Sequence, residues 1–327
     1  MVPVRVVFMG TPEFAVPCLR ALAEHHEVAL VVCQPDKPAG RGGQLAAPAV
    51  KVTAVNLGLP VIQPRSARTG ELRDALKASD AELAVVVAYG KILPKDVLEA
   101  LPRGCINVHG SLLPRYRGAA PIQWAVIDNE PETGVAIMQL DEGMDTGPVF
   151  LERRVAIDPD ETSGELMTRL APIGAATLLE ALAKIADNSA IATPQDHARA
   201  THAAMLSKAD GAIDFAQPAA KVASRIRGVD PWPGAQAVLR GQVVKLFRAR
   251  VDPPPEGPLH AEPGAPVYGT VIAIDGQGAH VLCADGAIAI KELQAPGRKR
   301  LTAQQFAAGR GIAIGDVLSK PDLEPAR

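Results

Sequence analysis

Short apolar runs alternate with segments of helical spacing through the first half of the chain, and this alternation is what most limits its fold. The runs Val4–Met9 and Leu83–Ala88 are continuous in apolar residues, as strands buried on both faces are. Helical spacing separates such runs, for example over Pro12–His25 and Glu71–Lys77. Strands that alternate with helices in this way predict a parallel sheet with helices on both faces.

The same reasoning predicts the remaining elements of this first part. Further strands are expected over Glu27–Cys33, Pro60–Ile62 and Cys105–His109, and further helices over Val50–Leu57, Asp96–Ala100 and Ala120–Asp128. Two later strands, Gly134–Leu140 and Pro148–Ile157, are expected to pair antiparallel at one side of the sheet, and a long amphipathic helix is expected over Ser163–Ala186.

The second half of the chain has a different pattern. Residues from Asn188 to about Ser207 are polar and mixed, which is typical of a linker. A short helix is then expected at Ala219–Arg227, and five short strands separated by glycine-containing turns are expected at Ala235–Leu239, Val243–Arg250, Gly269–Ile274, Ala279–Cys283 and Ala287–Leu293. This pattern predicts a small β-barrel, resembling the oligonucleotide-binding (OB) type.

The predicted fold is therefore α/β, with a doubly wound, mostly parallel, Rossmann-like sheet followed by a small OB-like β-barrel. The expected domains are 1–188, a linker over 189–206, and 207–317. Net charge supports a division of roles: residues 1–206 hold 19 Lys and Arg against 24 Asp and Glu, giving −5, and residues 207–327 hold 15 against 12, giving +3. The later region is the expected surface for a polyanion, although so small a difference is also ordinary for solvated faces.

Composition narrows the class of protein further. The chain of 327 residues is 47% hydrophobic and has only four cysteines, none with metal-ligand or redox spacing, so they are expected to be small buried hydrophobes. The apolar run Val4–Met9 is too short for a signal peptide. No stretch of the sequence is expected to reach the ~20 apolar residues that span a bilayer. We therefore expect a cytoplasmic protein without a membrane partner or a metal.

A reaction site is suggested by polar residues at the end of one predicted strand. Asn107 and His109 are two residues apart on Cys105–His109, so their side chains project to the same side. Open parallel sheets bind ligands just beyond the carboxyl ends of their strands. Asp145 lies in a later loop with two glycines and a proline. Taken alone, these three residues are equally explained as a turn amide, a packed histidine and a turn-forming aspartate.

The sequence around these residues adds a specific resemblance. The run from Asn107 to Gln123, which contains Ser-Leu-Leu-Pro-Arg-Tyr-Arg-Gly-Ala-Ala-Pro, resembles the methionyl-tRNA formyltransferase family, as do Met9–Phe14 and the loop Pro35–Gly42. The Asn-x-His and the later Asp are features of folate-dependent formyltransferases in general. The resemblance covers nearly the whole chain, and it implies a formyl transfer from 10-formyltetrahydrofolate to the methionine amino group of initiator Met-tRNA.

The resemblance implies catalytic roles for Asn107, His109 and Asp145. Acyl transfer between two nitrogens needs stabilisation of the oxygen of the tetrahedral species and movement of a proton. A protonated His109 can donate to that oxygen, with Asp145 stabilising the imidazolium, and the Asn107 amide can donate to the same oxygen. Losing one such donor typically costs ~3 kcal/mol. No covalent formyl-enzyme is expected.

Binding residues are also implied. Those expected to meet the folate are Tyr89, Gly90, Ile92, Leu93, Ser111, Leu112, Leu113, Pro114 and Asp141. Those expected to meet the tRNA are Arg41, Lys208, Lys245, Arg248, Arg298 and Lys299, with Arg250 and Arg300 as further phosphate candidates. Arg41 is the strongest tRNA contact by resemblance, although this chain has Gly43 and Gln44 where many relatives carry lysines. Trp232, in Asp230–Gly234, is interpreted as packed into its domain. A monomer is expected.

Several alternatives stay open at this level. A formyltransferase that acts on another amine, such as an amino sugar nucleotide, or a formyltetrahydrofolate hydrolase would share the same three polar residues. A nicotinamide-dependent oxidoreductase would share the architecture, but Gly10–Phe14 after the first strand does not read G-x-G-x-x-G. A non-catalytic RNA-binding protein would leave Asn107, His109 and Asp145 unexplained.

Overall fold

A computed structural model describes residues 3–39, 44–252 and 267–322. The chain divides into two compact units that are each built from several segments. Unit 1 consists of Met1–Pro121, Thr133–Val155 and Met167–Ala204, and unit 2 of Ile122–Glu132, Ala156–Leu166 and Met205–Arg327. The second unit therefore contains two segments from the part of the chain that precedes the predicted barrel.

The elements up to Ala204 follow the predicted alternation. The strands are β1 Arg5–Gly10, β2 Glu27–Val32, β3 Lys37–Ala39, β4 Gln44–Ala46, β5 Val61–Ile62, β6 Leu83–Val87, β7 Cys105–His109, β8 Arg117–Gly118, β9 Glu132–Gln139, β10 Val149–Ala156 and β11 His202–Ala203. The helices are α1 Val16–His25, α2 Ala49–Asn56, α3 Glu71–Ala78, α4 Lys95–Leu98, α5 Pro121–Ile127 and α6 Ser163–Ala186.

The main sheet has seven strands in the order β10-β9-β7-β6-β1-β2-β5. β1 pairs in parallel with β2 and β6, and β6 pairs in parallel with β7. The central strands β1 and β6 are buried along almost their whole length because both of their faces are covered, which explains their continuous apolar runs. The predicted mostly parallel α/β sheet is confirmed.

One side of the sheet is antiparallel, as the two later apolar runs suggest. β9 pairs antiparallel with β7, and β10 follows it at the edge of the sheet. The Gln139 amide donates to the Pro148 carbonyl at 2.9 Å, and the Ile157 amide donates to the Pro131 carbonyl at 3.0 Å. The loop that carries Asp145 connects these two strands.

The polar loop between β2 and α2 contains structure that the sequence does not reveal. β3 and β4 form a small antiparallel hairpin in which Pro38 is opposite Leu45. Lys51 reaches back to Asp36 in an ion pair of 2.8 Å. Arg41, the strongest predicted tRNA contact, lies outside the described residues.

The segment predicted as a linker is tied into unit 1 as far as Ala204. Thr193 forms an antiparallel bridge with Val149, and β11 pairs in parallel with β8 in the loop that follows β7. Gln195 is buried at 9% exposure. This segment is therefore packed against the predicted reaction site rather than running free between the two parts of the chain.

Helix α6 corrects one expectation from composition. Its 24 residues are long and apolar enough to span a membrane by length and composition alone, and 50% of the apolar stretch is buried inside the fold. Leu166, Leu170, Leu178 and Leu182 are completely buried. Helices at the core of water-soluble proteins have the same length and composition, so this single helix is weak evidence for a membrane.

Unit 2 contains the predicted antiparallel strands. Its elements after Ala204 are α7 Ala219–Gly228, β12 Ala235–Leu239, β13 Gln242–Val251, β14 Val271–Asp275, β15 Gly278–Leu282, β16 Ala287–Gln294, β17 Leu301–Thr302, α8 Ala303–Ala308 and β18 Leu318–Ser319. The sheet has the order β14-β15-β16-β13-β12-β18, with β17 paired to β16. Its two edges meet, because the Leu318 amide donates to the Gly269 carbonyl at 2.9 Å and the Val271 amide donates to the Asp316 carbonyl at 2.8 Å. The sheet curls into the expected barrel-like form.

Helix α7 joins the barrel to the earlier segments of unit 2. The Ser224 hydroxyl donates to the Ile127 carbonyl at 2.8 Å. The buried Arg227 donates to the Ala249 carbonyl at 2.9 Å and to the Asn129 amide oxygen at 3.3 Å, and burial lowers the pKa of this guanidinium. The Ser163 hydroxyl donates to the Asp230 carbonyl at 2.7 Å. These polar contacts fix α7 between the barrel and the end of α5.

The four cysteines are free and buried, as predicted. Burial raises the pKa of Cys18 and Cys105 to about 12, so both stay protonated thiols at neutral pH. Within the described ranges, no three His, Cys, Asp or Glu side chains come together in a way that could hold a metal ion.

Candidate active site

Strand β7 carries the first two candidate catalytic residues. Asn107 is opposite Met138 of β9 and beside Val86 of β6, and His109 is opposite Ala136. Because the two residues are two positions apart on a strand, their side chains leave the same face. His109 is buried at 5% exposure, whereas Asn107 is only partly buried. The end of β7 thus presents an amide and a buried imidazole together.

The structure brings Asp145 to His109. The Nδ1 atom of His109 lies 3.7 Å from Oδ2 of Asp145, and the aspartate side chain is 14% exposed. The other ring nitrogen, Nε2, donates to the Tyr116 carbonyl at 2.9 Å. A carbonyl only accepts, so this contact assigns the proton to Nε2 and leaves Nδ1 as the nitrogen that faces the carboxylate. The distance of 3.7 Å exceeds a direct hydrogen bond.

The loop that carries Asp145 has a fixed shape. Asp145 has a left-handed backbone with φ of 53°. Its Oδ2 atom accepts a hydrogen bond of 2.8 Å from the Gly118 amide. Asp141 accepts from the Gly143 amide at 3.0 Å and from the Thr146 hydroxyl at 2.6 Å, which closes the first half of the loop. A Cβ atom on Gly147 would lie 2.0 Å from the Gln139 carbonyl oxygen, so that position requires glycine.

The segment after β7 is held by its own side chains and by the residues near β11. The buried Ser111 hydroxyl donates to the Arg115 carbonyl at 2.7 Å. The Tyr116 amide donates to the Thr201 hydroxyl at 2.8 Å, and the Arg117 amide donates to the Thr201 carbonyl at 2.9 Å. The carbonyl that orients His109 is therefore fixed by contacts on both sides.

The predicted folate residues fall into buried and exposed groups. Tyr89 is 1% exposed, its hydroxyl has no hydrogen-bond partner among the described residues, and its carbonyl accepts from Thr11 and Gln34. Burial raises the pKa of the Tyr89 phenol to about 12. Leu93 also lies in the core, whereas Ile92 is 70% exposed. Gly90 is exposed with φ of 79°. The side chains of Tyr89 and Leu93 are therefore packing residues, and Ile92 is the apolar side chain available to a ligand.

The remaining folate candidates surround Leu140. Leu113 is buried in a cluster with Ala136 and Met138, and Leu140 packs against that cluster and against the core cluster that holds Leu93. Leu112 and Pro114 are partly buried, and Asp141 is exposed at the start of the Asp145 loop. An apolar wall thus lies beside the loop that brings Asp145 to His109.

A cavity of about 780 Å³ opens along this loop. Of the predicted folate residues it includes only Asp141. Side chains of both charges line it, among them Lys95, Arg103, Asp141 and Glu142, together with the apolar Leu140. The Lys95 ammonium lies 3.4 Å from the Glu142 carboxylate across it. Its volume is in the range of small-molecule sites.

The predicted tRNA residues of unit 2 gather largely at one end of the barrel. Lys245 is opposite Gln294 at the end of β16, and the Gln294 amide donates to the Arg298 carbonyl at 2.7 Å in the turn that follows. Lys208 begins the short 3₁₀ turn Lys208–Gly211, after which Ala212 bridges to Gln236, the neighbour of Lys245 on β12. Lys208, Lys245, Arg298 and Lys299 are all exposed.

The other basic residues are engaged within the protein. Arg248 forms an ion pair of 2.7 Å with Glu165, and this hydrogen bond raises the pKa of the guanidinium. Arg300 pairs with Glu292 and stacks 3.9 Å from the centre of the Phe247 ring. Arg250 donates to Gln277. These three contacts make them weaker phosphate candidates than the four exposed residues.

Trp232 differs from its interpretation as a packed residue. It is 53% exposed, so that interpretation is wrong. The flanking Pro233 and Gly234 are buried, and a Cβ atom on Gly234 would lie 3.8 Å from the Lys245 ammonium. The residues after Trp232 are thus buried near Lys245, while the indole itself is exposed.

The residues that support the Asp145 loop were not predicted from the sequence. Arg117 and Gln195 are both buried, and His197 lies beside Arg117 at 3.1 Å. Arg117 belongs to the motif after β7, but its charge gave no sign that it is buried. Gln195 and His197 lie in a polar stretch whose pattern predicts only a connection.

Comparisons with known proteins give two family matches and relatives of nearly full length. Residues 4–182 match the family model "Formyl transferase", and residues 205–311 match "Formyl transferase, C-terminal domain". A methionyl-tRNA formyltransferase of Sorangium cellulosum is 48% identical over 97% of this chain and all of that relative. A methionyl-tRNA formyltransferase of Desulfotalea psychrophila is 48% identical over 96% of this chain and 95% of that relative.

Among solved structures, the chain resembles WlaRD, a sugar 3N-formyl transferase crystallised in the presence of dTDP and 5-N-formyl-THF. The identity is 15% with a TM-score of 0.65, covering 90% of this chain and 99% of the other. This likeness establishes the shared fold. The family matches and the relatives at nearly full coverage go further: this chain belongs to the methionyl-tRNA formyltransferase family.

Proposed function

We propose that this protein transfers the formyl group of 10-formyltetrahydrofolate to the methionine amino group of initiator Met-tRNA. The observation that carries the proposal is the approach of the Asp145 carboxylate to the buried His109, beside Asn107, in a chain of this family. Such a buried pair supplies one acceptor and one donor that can share a proton, which acyl transfer between two nitrogens requires. Both substrates are cytoplasmic components of translation and one-carbon metabolism, so we assign the reaction to the cytoplasm.

The reaction begins with attack of the neutral amine on the formyl carbon. The carbonyl oxygen then becomes negative, the bond from the formyl carbon to N10 of the folate breaks, and the proton that the amine loses ends on N10. We assign the acceptance of this proton to Asp145, because its Oδ1 atom is left available while Oδ2 accepts from the Gly118 amide. A water molecule that hydrogen-bonds to both His109 and Asp145 is a suitable relay for the proton.

His109 and Asn107 are assigned to stabilise the developing negative charge by hydrogen-bond donation. Since Nε2 of His109 is committed to the Tyr116 carbonyl, a hydrogen bond donated to the oxygen must come from Nδ1, which carries a proton only in the protonated form of the ring. This refines the expectation from sequence, which did not distinguish the two nitrogens. The Asn107 side chain leaves the same face of β7 and supplies a second donor.

The folate is proposed to bind beside the apolar wall at Leu140. Ile92 is exposed and Leu113 packs against Leu140, so flat aromatic rings meet apolar side chains on this side. Backbone groups of the Asp141–Asp145 loop supply donors and acceptors for the ring edge. The glutamate carboxylates at the other end of a folate would be matched by Lys95 or Arg103 along the cavity.

The tRNA is proposed to meet the barrel end that holds Lys208, Lys245, Arg298 and Lys299. Exposed lysine and arginine side chains position the phosphate backbone without reading its sequence. Exposed aromatic rings can stack on unpaired bases, and the exposed Trp232 lies two residues before Gly234, whose Cβ position is close to the Lys245 ammonium. Arg41 stays a proposed contact with the acceptor end, on the resemblance of its loop.

The test is transfer of radiolabelled formyl from 10-formyltetrahydrofolate to purified initiator Met-tRNA, with elongator Met-tRNA as the control. Label on the initiator alone is the expected result. Release of free formate without labelled tRNA would instead support a hydrolase. Label on a nucleotide-linked amino sugar, and none on tRNA, would support a sugar formyltransferase.

A further inference from the structure

A buried arginine and glutamine lie behind the loop that carries Asp145. Arg117 is 4% exposed and Gln195 is 9% exposed. The Nε and Nη2 atoms of Arg117 both donate to Oε1 of Gln195, at 3.1 and 2.7 Å. The Gln195 amide nitrogen then donates to the carbonyls of Asp145 at 2.9 Å and Gly147 at 2.7 Å. A chain of hydrogen bonds thus runs from the guanidinium to the backbone of the loop.

The Gln195 side chain is satisfied in only one orientation. Its oxygen receives two donors from Arg117, and its two amide hydrogens are used by two carbonyl oxygens. The reversed amide would place oxygen against the loop carbonyls and nitrogen against the guanidinium. In a buried site, unmet donors and acceptors cost about 1–3 kcal/mol each, so Arg117 fixes the orientation of Gln195.

Asp145 is held from two directions by neighbouring residues of β8. Gly118 donates its amide to the Asp145 carboxylate at 2.8 Å, and Arg117 holds the Asp145 carbonyl through Gln195. Asp145 has φ of 53°, in the left-handed region where residues other than glycine are uncommon. The hydrogen bonds from Gly118 and Gln195 therefore support a residue that has an uncommon backbone conformation.

We propose that Arg117 and Gln195 are positioning residues for formyl transfer, which act by holding Asp145 beside His109. Neither residue has to touch a substrate for this role. The inference rests on the proposed function in one respect, that Asp145 takes part in the reaction. It gives a structural role to the segment before β11, which contains Gln195 and bonds to the Asp145 loop.

The sharpest variant is Gln195→Glu, which keeps the size of the side chain and its contact with Arg117. It replaces the amide nitrogen by an oxygen that faces the carbonyls of Asp145 and Gly147, so the loop is pushed away from His109. Since a displacement of about 1 Å can cost 100-fold in rate, we expect kcat to fall about 10- to 100-fold with the KM values for folate and tRNA within about threefold of wild type. Hydrogen exchange measured by mass spectrometry should accelerate over residues 141–148.

Two comparisons separate positioning from general damage. Asp196→Ala removes an exposed side chain that caps the adjacent 3₁₀ turn, without a contact to the loop, and should keep wild-type kcat. In an Asp145→Asn background, Gln195→Glu should lower kcat less than about twofold further, because residues that act as one unit are not additive. Arg117→Lys, which offers one donor centre in place of the fork, should be intermediate.

A wild-type kcat in Gln195→Glu, or an equal loss in the Asp145→Asn background, would overturn the inference. If Gln195→Glu is too unstable to purify, Arg117→Lys carries the same test. Failure of the proposed function would look different: the wild-type protein would not label initiator tRNA at all. In that case the exchange rate over residues 141–148 still reports whether Gln195 holds the loop.

Discussion

His109 and Asp145 face each other across 3.7 Å, with the second ring nitrogen of His109 bound to the Tyr116 carbonyl. The imidazole is therefore oriented by a backbone group and not by the carboxylate. A water molecule that lies beside Nδ1 and Oδ2 can hydrogen-bond to both atoms. Asp145 can exchange a proton there without releasing the histidine from its position.

This geometry predicts the effect of removing either group. His109→Ala and Asp145→Asn should each lower kcat by a factor of about 100 to 10,000, the range of general acid–base catalysis. Affinity for Met-tRNA, measured by filter binding, should stay within about threefold of wild type because neither residue belongs to the basic barrel end. His25→Ala, which changes an exposed histidine at the end of α1, is the control. A parallel loss of affinity and kcat would argue against the assigned roles.

Gly118 should tolerate no side chain. It has φ of 120°, and a Cβ atom would lie 2.7 Å from the Ala203 carbonyl oxygen between β8 and β11. Gly118→Ala should lower the free energy of unfolding by about 1–3 kcal/mol, because it strains the backbone and places the new Cβ atom against the Ala203 carbonyl oxygen. Gly276→Ala is the matched control, since nothing lies within 4 Å of its Cβ position. Urea unfolding measures both, and similar midpoints for the two variants would contradict the prediction.

His280 should make the stability of the barrel depend on pH. Its ring lies between Asp252 and Asp275, with Nδ1 2.5 Å from Asp252 and Nε2 2.9 Å from Asp275. Burial disfavours the charged ring, but the hydrogen bonds to both carboxylates outweigh it and raise the pKa of His280. The resulting stabilisation is complete below the ordinary histidine pKa of about 6.5 and is lost as pH rises through the raised native pKa.

His280→Gln provides the measurement of that stabilisation. The difference in unfolding free energy between wild type and His280→Gln should be largest at about pH 5.5 and should shrink as the pH rises through the raised native pKa of His280. The nearby polar groups are Asp252, Asp275 and the Arg250–Gln277 contact. Asp275 stays ionised across this range, because its hydrogen bond to His280 lowers its pKa. A difference that does not change with pH would exclude a charged His280.

Charge reversal should identify the tRNA surface. Lys299→Glu, in the turn after β16, should raise the KM for Met-tRNA several-fold and leave the KM for folate unchanged, because phosphate contacts contribute roughly uniformly and are weakened by salt. Lys221→Glu is the control: Lys221 is exposed on α7, whose first residue binds Asp285 at the opposite end of β16. Equal effects of the two variants would mean that overall charge, and not this end of the barrel, matters.

The apolar strands were the most predictable part of the fold. β7 begins and ends where its apolar run predicts, and the limits of α6 agree as well. Burial on both faces leaves a continuous pattern that survives in a single sequence. β8 and β11 have two residues each and no period, so their pairing could not be predicted. The same is true of the small hairpin of β3 and β4.

The sequence offers candidate residues for the site, but it does not predict the residues that support them. Asn107, His109 and Asp145 were found from a motif, and the structure brings His109 and Asp145 together. Arg117 and Gln195 are 78 residues apart in the chain, and the pattern around them is polar and irregular. A buried guanidinium that is bound by a glutamine and a histidine leaves no compositional signal, because neither partner is an acidic residue. Trp232 was misplaced for the related reason that side-chain type alone does not decide exposure.

Each of the two units is built from three separate segments of the chain, so neither corresponds to one continuous fragment. A fragment that starts at Met205 would lack Ile122–Glu132 and Ala156–Leu166. Its buried Arg227 would lose Asn129, and Ser224 would lose the Ile127 carbonyl. Proteolysis at one peptide bond would likewise not release either unit intact. The proposed RNA binding by the barrel therefore has to be tested in the whole chain, or in a fragment that restores both inserted segments.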